Sequence, residues 1–375
     1  TMEQAGYWIK QGNWPTAGNS NNKLYSWGNN AQGQLGLGTS GAGTHKSSPN
    51  QVGALTTWSK IACADEGSHT LAVKTDGTLW AWGYNGSGQL GLGNVTAYSS
   101  PKQVGALTTW STIAGGGNFS LATKTDGTLW SWGLNTSGEL GLGNTTYYSS
   151  PKQVGALTTW STIAGGGYHT IATKTDGTLW AWGFNDYGQL GLGNITNRSS
   201  PVQVGALTNW LNIACGNKCT IATKSDGTLW SWGENTGGQL GLGNTTSYSS
   251  PKQVGALTTW LNIIACSLHS IAIKTDGTLW SWGNNAQGQL GLGNVTAYSS
   301  PKQVGALTTW STIAGGGYFS LAIKTDGTLW SWGRNTEGQL GLGNTTNRSS
   351  PNQVGALTTW SKISGGADWT LAILS

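Results

Sequence analysis

Charged side chains are scarce in this sequence. Asp, Glu, Lys and Arg make up 9% of the 375 residues, whereas a typical soluble domain contains about 25%. The net charge of +5 is dispersed, and the Lys of each recurring Lys-Thr-Asp-Gly or Lys-Ser-Asp-Gly segment lies two residues before an Asp that balances it. Because a nucleic-acid interface needs a basic patch or stripe, we expect no nucleic-acid partner.

Long apolar runs, helical periodicity and cysteine are also missing or rare. No apolar stretch approaches the ~18 residues that a membrane-spanning helix needs, and no segment repeats its apolar residues at the helical period. The four cysteines are placed irregularly and lack a second Cys or His pair at zinc spacing; they are Cys63, Cys215, Cys219 and Cys266. We predict buried free thiols, with a Cys215–Cys219 disulfide as the alternative. No secretory signal is visible, and the sequence does not specify the cellular compartment. An extracellular or virion surface is the location we favour.

Glycine, tryptophan and one repeated unit dominate what is present. The chain contains 61 Gly and 23 Trp. A Trp-Gly pair occurs in seven copies, spaced by fifty residues from the second copy onward, at Trp27, Trp82, Trp132, Trp182, Trp232, Trp282 and Trp332. A period near fifty with several short strands per unit is typical of propellers. We therefore predict an all-β, seven-bladed β-propeller.

Residues 110–160 illustrate the predicted unit. Three strands are expected in its first half, and a short fourth strand begins at Pro151 after a polar, Gly-rich loop. Asp126 and Gly127 lie between the second and third strands and indicate a type I′ hairpin turn, in which both central residues need positive φ. The unit therefore reads as a four-stranded antiparallel sheet.

The third strand indicates how the units stack. Trp130 and Trp132 alternate with Leu129 and Ser131, so the two tryptophans lie on one face of the strand. This bulky face can pack on the slim face of the neighbouring sheet. We interpret the tryptophans as core residues because each buried indole removes a large apolar area from water.

The two ends of the chain complete each other. The last copy stops before its hairpin and returning strand, whereas the first copy opens on a returning strand with no hairpin before it. We predict that strand 24–28 completes the blade of the C-terminal strands within residues 353–374, which removes exposed sheet edges. Residues 23–375 then form one propeller, and residues 1–22 form an N-terminal extension outside the repeats.

The inner copies share Asp-Gly-Thr-Leu-Trp-(Ser/Ala)-Trp-Gly-x-Asn-x-x-Gly-(Gln/Glu)-Leu-Gly-Leu-Gly, followed by Ser-Ser-Pro-x-Gln-Val. With Gly-Gly-Tyr-His-Thr-Ile-Ala at 166–172, these motifs resemble the regulator of chromosome condensation repeat family over roughly residues 23–375. The resemblance implies a seven-bladed propeller. It also implies functions as diverse as nucleotide exchange on a small GTPase, chromatin association and inhibition of a bacterial β-lactamase. The near-identity of the copies resembles propellers encoded by bacteria and their phages.

No catalytic, cofactor-binding or metal-binding residue emerges from a comparison of the copies. His69, His169 and His269 occupy a slot that holds Phe, Cys or Trp in the sister copies, which indicates packing rather than catalysis. The hairpin aspartates occur once per copy, and we interpret them as turn residues. A G-x-G-x-x-G match at 86–91 has no helix after it and indicates loop geometry only. We predict no enzyme activity, no cofactor and no bound metal.

Three places differ between the copies: the residue after Trp-Gly, the turn between the first two strands, and the residue before Ser-Ser-Pro. Strand directions place all three on one rim of the disc, the variable rim, opposite the Lys-Thr-Asp-Gly turns of the constant rim. Tyr and Arg are favoured at interface hot spots. The predicted partner-binding residues are Tyr84, Tyr98, Tyr148, Tyr168, Phe184, Tyr187, Arg198, Tyr248, Tyr298, Tyr318, Arg334 and Arg348.

The sequence favours a non-enzymatic scaffold that binds a macromolecule, in the first place a protein, through the variable rim. The alternative is a structural or decorating module of an extracellular or phage assembly. In that hypothesis the aromatic residues Tyr7, Trp8 and Trp14 of the N-terminal segment anchor the chain within a larger assembly. An enzyme is the third and least favoured hypothesis.

Overall fold

The computed structural model describes residues 22–64 and 67–375. Its 28 strands form seven four-stranded sheets, in which neighbouring strands are antiparallel. This arrangement confirms the predicted all-β, seven-bladed propeller. Within the described residues, no helix is long and apolar enough to cross a membrane.

Each blade has an inner, a second, a third and an outer strand, and the inner strands of neighbouring blades contact one another around the axis. The inner strands are β3 (Trp58–Cys63), β7 (Trp110–Gly115), β11 (Trp160–Gly165), β15 (Trp210–Cys215), β19 (Trp260–Ala265), β23 (Trp310–Gly315) and β27 (Trp360–Gly365). They define blades 1 to 7 in that order. The second strands are β4 (His69–Lys74), β8 (Phe119–Lys124), β12 (His169–Lys174), β16 (Cys219–Lys224), β20 (His269–Lys274), β24 (Phe319–Lys324) and β28 (Trp369–Leu374).

The third and outer strands complete each sheet. The third strands of blades 1 to 6 are β5 (Leu79–Gly83), β9 (Leu129–Gly133), β13 (Leu179–Gly183), β17 (Leu229–Gly233), β21 (Leu279–Gly283) and β25 (Leu329–Gly333). The outer strands of these blades are β6 (Tyr98–Gln103), β10 (Tyr148–Gln153), β14 (Arg198–Gln203), β18 (Tyr248–Gln253), β22 (Tyr298–Gln303) and β26 (Arg348–Gln353). Blade 7 takes its third and outer strands from the start of the chain, as β1 (Lys23–Gly28) and β2 (Lys46–Gln51).

Blade 7 closes the ring as predicted. β1 pairs with β28 in an unbroken register from Lys23 opposite Leu374 to Gly28 opposite Trp369. Of the C-terminal residues 353–374, only β27 and β28 belong to this composite blade, because β26 pairs with β25 of blade 6. An outer strand thus lies beside the third strand that precedes it in the chain, as short connections favour.

Tryptophans of one sheet pack against the slim face of the sheet before it. Trp132 of blade 2 is fully buried and packs with Leu79 and Ala81 of blade 1. Its indole Nε1 donates a 2.8 Å hydrogen bond to the Gln89 carbonyl oxygen in the loop of blade 1. The indole therefore fills the core between two blades and also holds the long loop of its neighbour in place.

The hairpins of the constant rim are not type I′ turns, contrary to the sequence prediction. Gly127 has a φ of 77°, but no described non-glycine residue, Asp126 included, has a positive φ. Gly127 N donates to Lys124 O and Lys124 N donates to Thr128 O, both at 3.0 Å. The strands therefore pair up to Lys124 and Thr128, and this leaves a three-residue loop, a type I turn followed by a left-handed glycine. Thr128 donates to Asp126 Oδ1 through its hydroxyl at 2.6 Å and its backbone N at 2.9 Å, and these bonds lower the pKa of Asp126.

Candidate functional site

The register of blade 3 shows where the three variable positions lie. Gly183 pairs with His169 on the second strand and with Arg198 on the outer strand. Phe184 N donates a 2.9 Å hydrogen bond to the Tyr168 carbonyl oxygen. Tyr168, Phe184 and Arg198 therefore meet at one end of the sheet. Equivalent pairings in the other complete blades place their variable residues on this same rim.

Blade 3 and the adjoining edge of blade 4 carry an aromatic sector, formed by Tyr168, Phe184, Tyr187 and Lys218. The rings of Tyr168 and Phe184 meet edge to face with centroids 6.2 Å apart. Lys218 Nζ lies 4.5 Å from the Tyr187 ring centroid and 3.5 Å from its hydroxyl. Because Tyr168 is 39% exposed, this sector presents pre-positioned aromatic surface with polar tips.

The junction of blades 6 and 7 carries a charged sector, formed by His45, Tyr318, Arg334, Glu337 and Asp368. Arg334 Nη1 lies 3.4 Å from Asp368 Oδ1, and its guanidinium lies 6.0 Å from the Tyr318 ring centroid. His45 Nδ1 lies 2.5 Å from Glu337 Oε2. Burial raises the pKa of Asp368, and the neighbouring Arg334 opposes that rise. Blades 3 and 6 are three places apart in a ring of seven, so the two sectors lie on roughly opposite sides of the rim.

The other predicted rim residues differ in how freely they face solvent. Tyr84 is 37% exposed. Arg198 and Arg348 are half-buried, and the Nε atom of each has no hydrogen-bond acceptor among the described residues. Four tyrosines of the outer strands are half-buried, and each has the Nζ of a lysine of its own strand 5.3–5.4 Å from its ring centroid; they are Tyr98, Tyr148, Tyr248 and Tyr298. These four rings are half-buried, whereas Tyr168 of the aromatic sector is exposed.

Four residues of the two sectors, His45, Lys218, Glu337 and Asp368, were not among the predicted set. Lys218 and Asp368 occupy the variable turn between the first two strands, so the variation between copies could have identified them. Lys218 and Asp368 were left out of the predicted set because the prediction favoured Tyr and Arg. Their role depends on contacts with Tyr187 and Arg334 in neighbouring blades, which sequence spacing does not show. The predicted anchor residues Tyr7, Trp8 and Trp14 lie outside the described residues.

The recurring histidines are packing residues. His69 is fully buried, and its Nε2 lies 2.9 Å from Ser120 Oγ in the next blade. Ser120 Oγ donates to the Gln89 carbonyl oxygen at 2.8 Å, so it accepts from a protonated Nε2. Burial lowers the pKa of His69 to about 3. The same environment recurs at His169 and His269.

The cysteines lie in the cores of the blades. Cys63, Cys215, Cys219 and Cys266 are all buried. Cys215 carries a free thiol, so the alternative Cys215–Cys219 disulfide is not formed, and burial raises the pKa of that thiol. Across residues 22–64 and 67–375, no group of three His, Cys, Asp or Glu side chains is placed to hold a metal ion.

Curated relatives match this chain over short segments. Protein RCC2 of Mus musculus is 42% identical over 83 residues, which cover 22% of this chain and 15% of that protein. The X-linked retinitis pigmentosa GTPase regulator of Canis lupus familiaris is also 42% identical over 83 residues, which cover 22% of this chain and 8% of that protein. The matched segments thus span a small part of these relatives.

Solved structures share the whole fold. Prp20p from Saccharomyces cerevisiae has a TM-score of 0.83 at 22% identity, covering 95% of this chain and 92% of that chain. Human WBSCR16 has a TM-score of 0.84 at 21% identity, covering 94% of this chain and 99% of that chain. The family model of the RCC1-like domain matches residues 14–310, and two models of the Regulator of chromosome condensation (RCC1) repeat match residues 326–373 and 310–339. The chain therefore belongs to the RCC1-like domain family.

Proposed function

We propose that this chain is a non-enzymatic scaffold that binds a protein partner through its variable rim. The observation that carries this proposal is the grouping of varied side chains into an aromatic and a charged sector on a frame that is otherwise repeated. Protein partners are named for similar propellers: the Prp20p structure is described with its binding to Gsp1p and histones, and a second structure is of Kap60 bound to yeast RCC1. These relatives support a protein as the class of partner.

The aromatic sector is expected to supply most of the affinity. Binding energy at interfaces concentrates in a few aromatic and Arg side chains, and truncation of such a residue costs about 2 kcal/mol or more. Tyr168 and Phe184 already contact each other edge to face, so little side-chain freedom remains to be lost on binding. The charged sector, in which Arg334 faces Asp368, is expected to orient the partner and to govern the association rate.

The experiment captures a partner from the native source with the tagged chain and identifies it by mass spectrometry. The purified partner is then titrated with a rim variant that carries Tyr168→Ala, Phe184→Ala and Tyr187→Ala. Because more than about 2 kcal/mol should be lost, the Kd should rise by about thirtyfold or more. A melting curve checks that these exposed or half-buried positions leave the fold intact.

The matched control changes exposed residues of the constant rim, Thr125→Ala, Thr175→Ala and Thr325→Ala. Its Kd should equal that of the wild type. The constant-rim lysines are unsuitable as controls because they are structural: Lys274 is buried, with Nζ 3.6 Å from the Trp280 ring centroid and 4.9 Å from that of Trp260. Removing such a cation–π contact would lower the stability as well.

The proposal is refuted if the threonine variant no longer binds the partner while the aromatic variant binds it as the wild type does. The mass of the purified chain in solution provides a second check. A defined oligomer or filament would favour the alternative function, a structural module of an extracellular or phage assembly.

A further inference from the structure

Successive blades leave an apolar groove between the outer strand of one blade and that of the next. Between blades 5 and 6 this groove has a volume of about 410 Å³ and is lined by Leu292, Leu307, Trp310 and Trp330, with Gln303, Ser350 and Pro351 along it. Equivalent residues form grooves of about 330 Å³ between blades 4 and 5, 370 Å³ between blades 1 and 2, and 390 Å³ between blades 2 and 3. These volumes fall in the range of small-molecule sites.

The lining residues recur around most of the ring. Leu37, Leu55, Trp58 and Trp80 occupy the same positions between blades 7 and 1, and Leu192, Leu207, Trp210 and Trp230 do so between blades 3 and 4. Blade 7 differs from the others. There Tyr25 pairs with the end of the outer strand, as Trp330 does in blade 6, and Leu374 stands where the other blades have Lys. The lining residues therefore recur at six of the seven blade junctions, and the junction of blades 6 and 7 differs.

Each groove combines exposed apolar surface with few charged side chains: three of the four linings hold none, and the groove between blades 5 and 6 holds only Lys324. Leu307 is 49% exposed and Trp330 is half-buried. Lys324 Nζ lies 3.7 Å from the Trp330 ring centroid, and the lysine interacts electrostatically with Asp326 two residues later. The indole Nε1 of Trp310 is buried and has no hydrogen-bond acceptor among the described residues. A neutral ligand with an apolar face suits this environment better than a polyanion.

We propose that these grooves bind the sugar rings of a neutral, repeating polysaccharide. An indole and a leucine side chain match the apolar C–H face of a pyranose ring, as aromatic and apolar linings generally do for ligands with an apolar face. The Gln303 and Ser350 side chains are exposed at the same groove and can hydrogen-bond to ring hydroxyls.

The repetition of the groove selects a ligand that repeats as well. A folded protein presents a given surface once and would use one groove. A polysaccharide presents the same ring many times, so several weak grooves can engage it together, and avidity can exceed the single-site affinity by about 10²–10⁴. This inference concerns the outer wall of the propeller, and it is independent of the protein partner proposed for the variable rim.

The experiment measures binding of three neutral probes, cellohexaose, maltohexaose and chitohexaose, by calorimetry and by retention on cellulose, starch and chitin. At least one hexasaccharide should bind with more than one site per chain. The groove variant carries Leu107→Asp, Leu157→Asp, Leu257→Asp and Leu307→Asp, one change in each of the four grooves described above. Its retention on the matching polymer should fall by tenfold or more, since a charge then lies on the apolar wall of each groove.

The control introduces Asp at three exposed apolar residues outside the grooves, as Val95→Asp, Ile195→Asp and Val295→Asp. These side chains are 62–63% exposed, and the control should bind like the wild type. Thermal melting checks the fold of both variants, and Leu→Ala changes at the same four positions replace the Asp changes if the groove variant melts early.

Absence of binding by all three hexasaccharides at millimolar concentration would overturn the proposal, and so would binding that survives the groove variant unchanged. Sedimentation of the protein alone gives a further test. A wild-type oligomer that becomes a monomer in the groove variant would assign the grooves to a second copy of this chain instead of a polysaccharide.

Discussion

Three histidines, His69, His169 and His269, lie fully buried between blades, and burial lowers the pKa of each from its usual 6.5 to about 3. Because the folded-state pKa lies below the unfolded one, the unfolded chain takes up the proton first as the pH falls. The contribution of these residues to stability is therefore complete above about pH 6.5 and is lost as the pH falls from there toward 3. We predict that mild acid destabilises this propeller through these three side chains.

The magnitude follows from the two pKa values. At about pH 5 the pH lies some 1.5 units below the pKa of an imidazole in the unfolded chain, which is therefore protonated. The same imidazole in the folded chain is still neutral. At about 1.36 kcal/mol per unit, each histidine lowers the free energy of unfolding by about 2 kcal/mol relative to neutral pH, and the three together by about 6 kcal/mol. The three bond to different hydroxyls, on Ser120, Thr220 and Ser320, so their effects should add.

The assay compares urea unfolding at about pH 7 and pH 5 for the wild type and for a variant carrying His69→Phe, His169→Phe and His269→Phe. The chain itself shows that phenylalanine fits, because Phe119 and Phe319 fill the same slot with no exposed surface. The wild type should lose about 6 kcal/mol between the two pH values, and the variant should lose little. An equal loss in the two proteins would refute the reasoning, since the protons would then bind elsewhere.

Three further predictions concern stability. Glu139 is fully buried where the other copies have Gln, and burial raises its pKa. Glu139→Gln should therefore raise the free energy of unfolding by about 1 kcal/mol at neutral pH. This gain should disappear in acid, where the glutamate is protonated. A chain beginning at Gly28 lacks most of the closing strand and should melt at a lower temperature and associate through its open edge, whereas an unchanged melting temperature and a monomeric elution volume would contradict the closure. Gly91 has a φ of 73°, and a Cβ there would lie 2.8 Å from the Trp132 indole nitrogen. Gly91→Ala should therefore cost about 3 kcal/mol or more in urea unfolding, and Gly105→Ala, with a φ of 61° and no atom within 4 Å, should cost about 1–2 kcal/mol.

The sequence by itself determined the architecture, because the interactions that specify it recur locally in each copy. The alternation of Trp130 and Trp132 with small or aliphatic residues predicted the two faces of a blade, and these faces pack as expected. The missing hairpin at one end and the unmatched strand at the other predicted the pairing of β1 with β28. The variation between copies also predicted which rim carries the varied residues, since strand direction depends on the order of the hairpins alone.

The tertiary structure decided the features that depend on contacts between distant segments or on backbone conformation. Asp126 and Gly127 indicated a hairpin in the sequence. The type of turn, however, depended on whether the strand pairing extends to Lys124 and Thr128. The contact of Arg334 with Asp368 joins two blades. Each groove combines segments from two blades that are separated in the chain by up to sixty residues. The fold of a repeat can be predicted from a single copy. The surfaces between copies depend on the distance and orientation that packing gives to neighbouring blades.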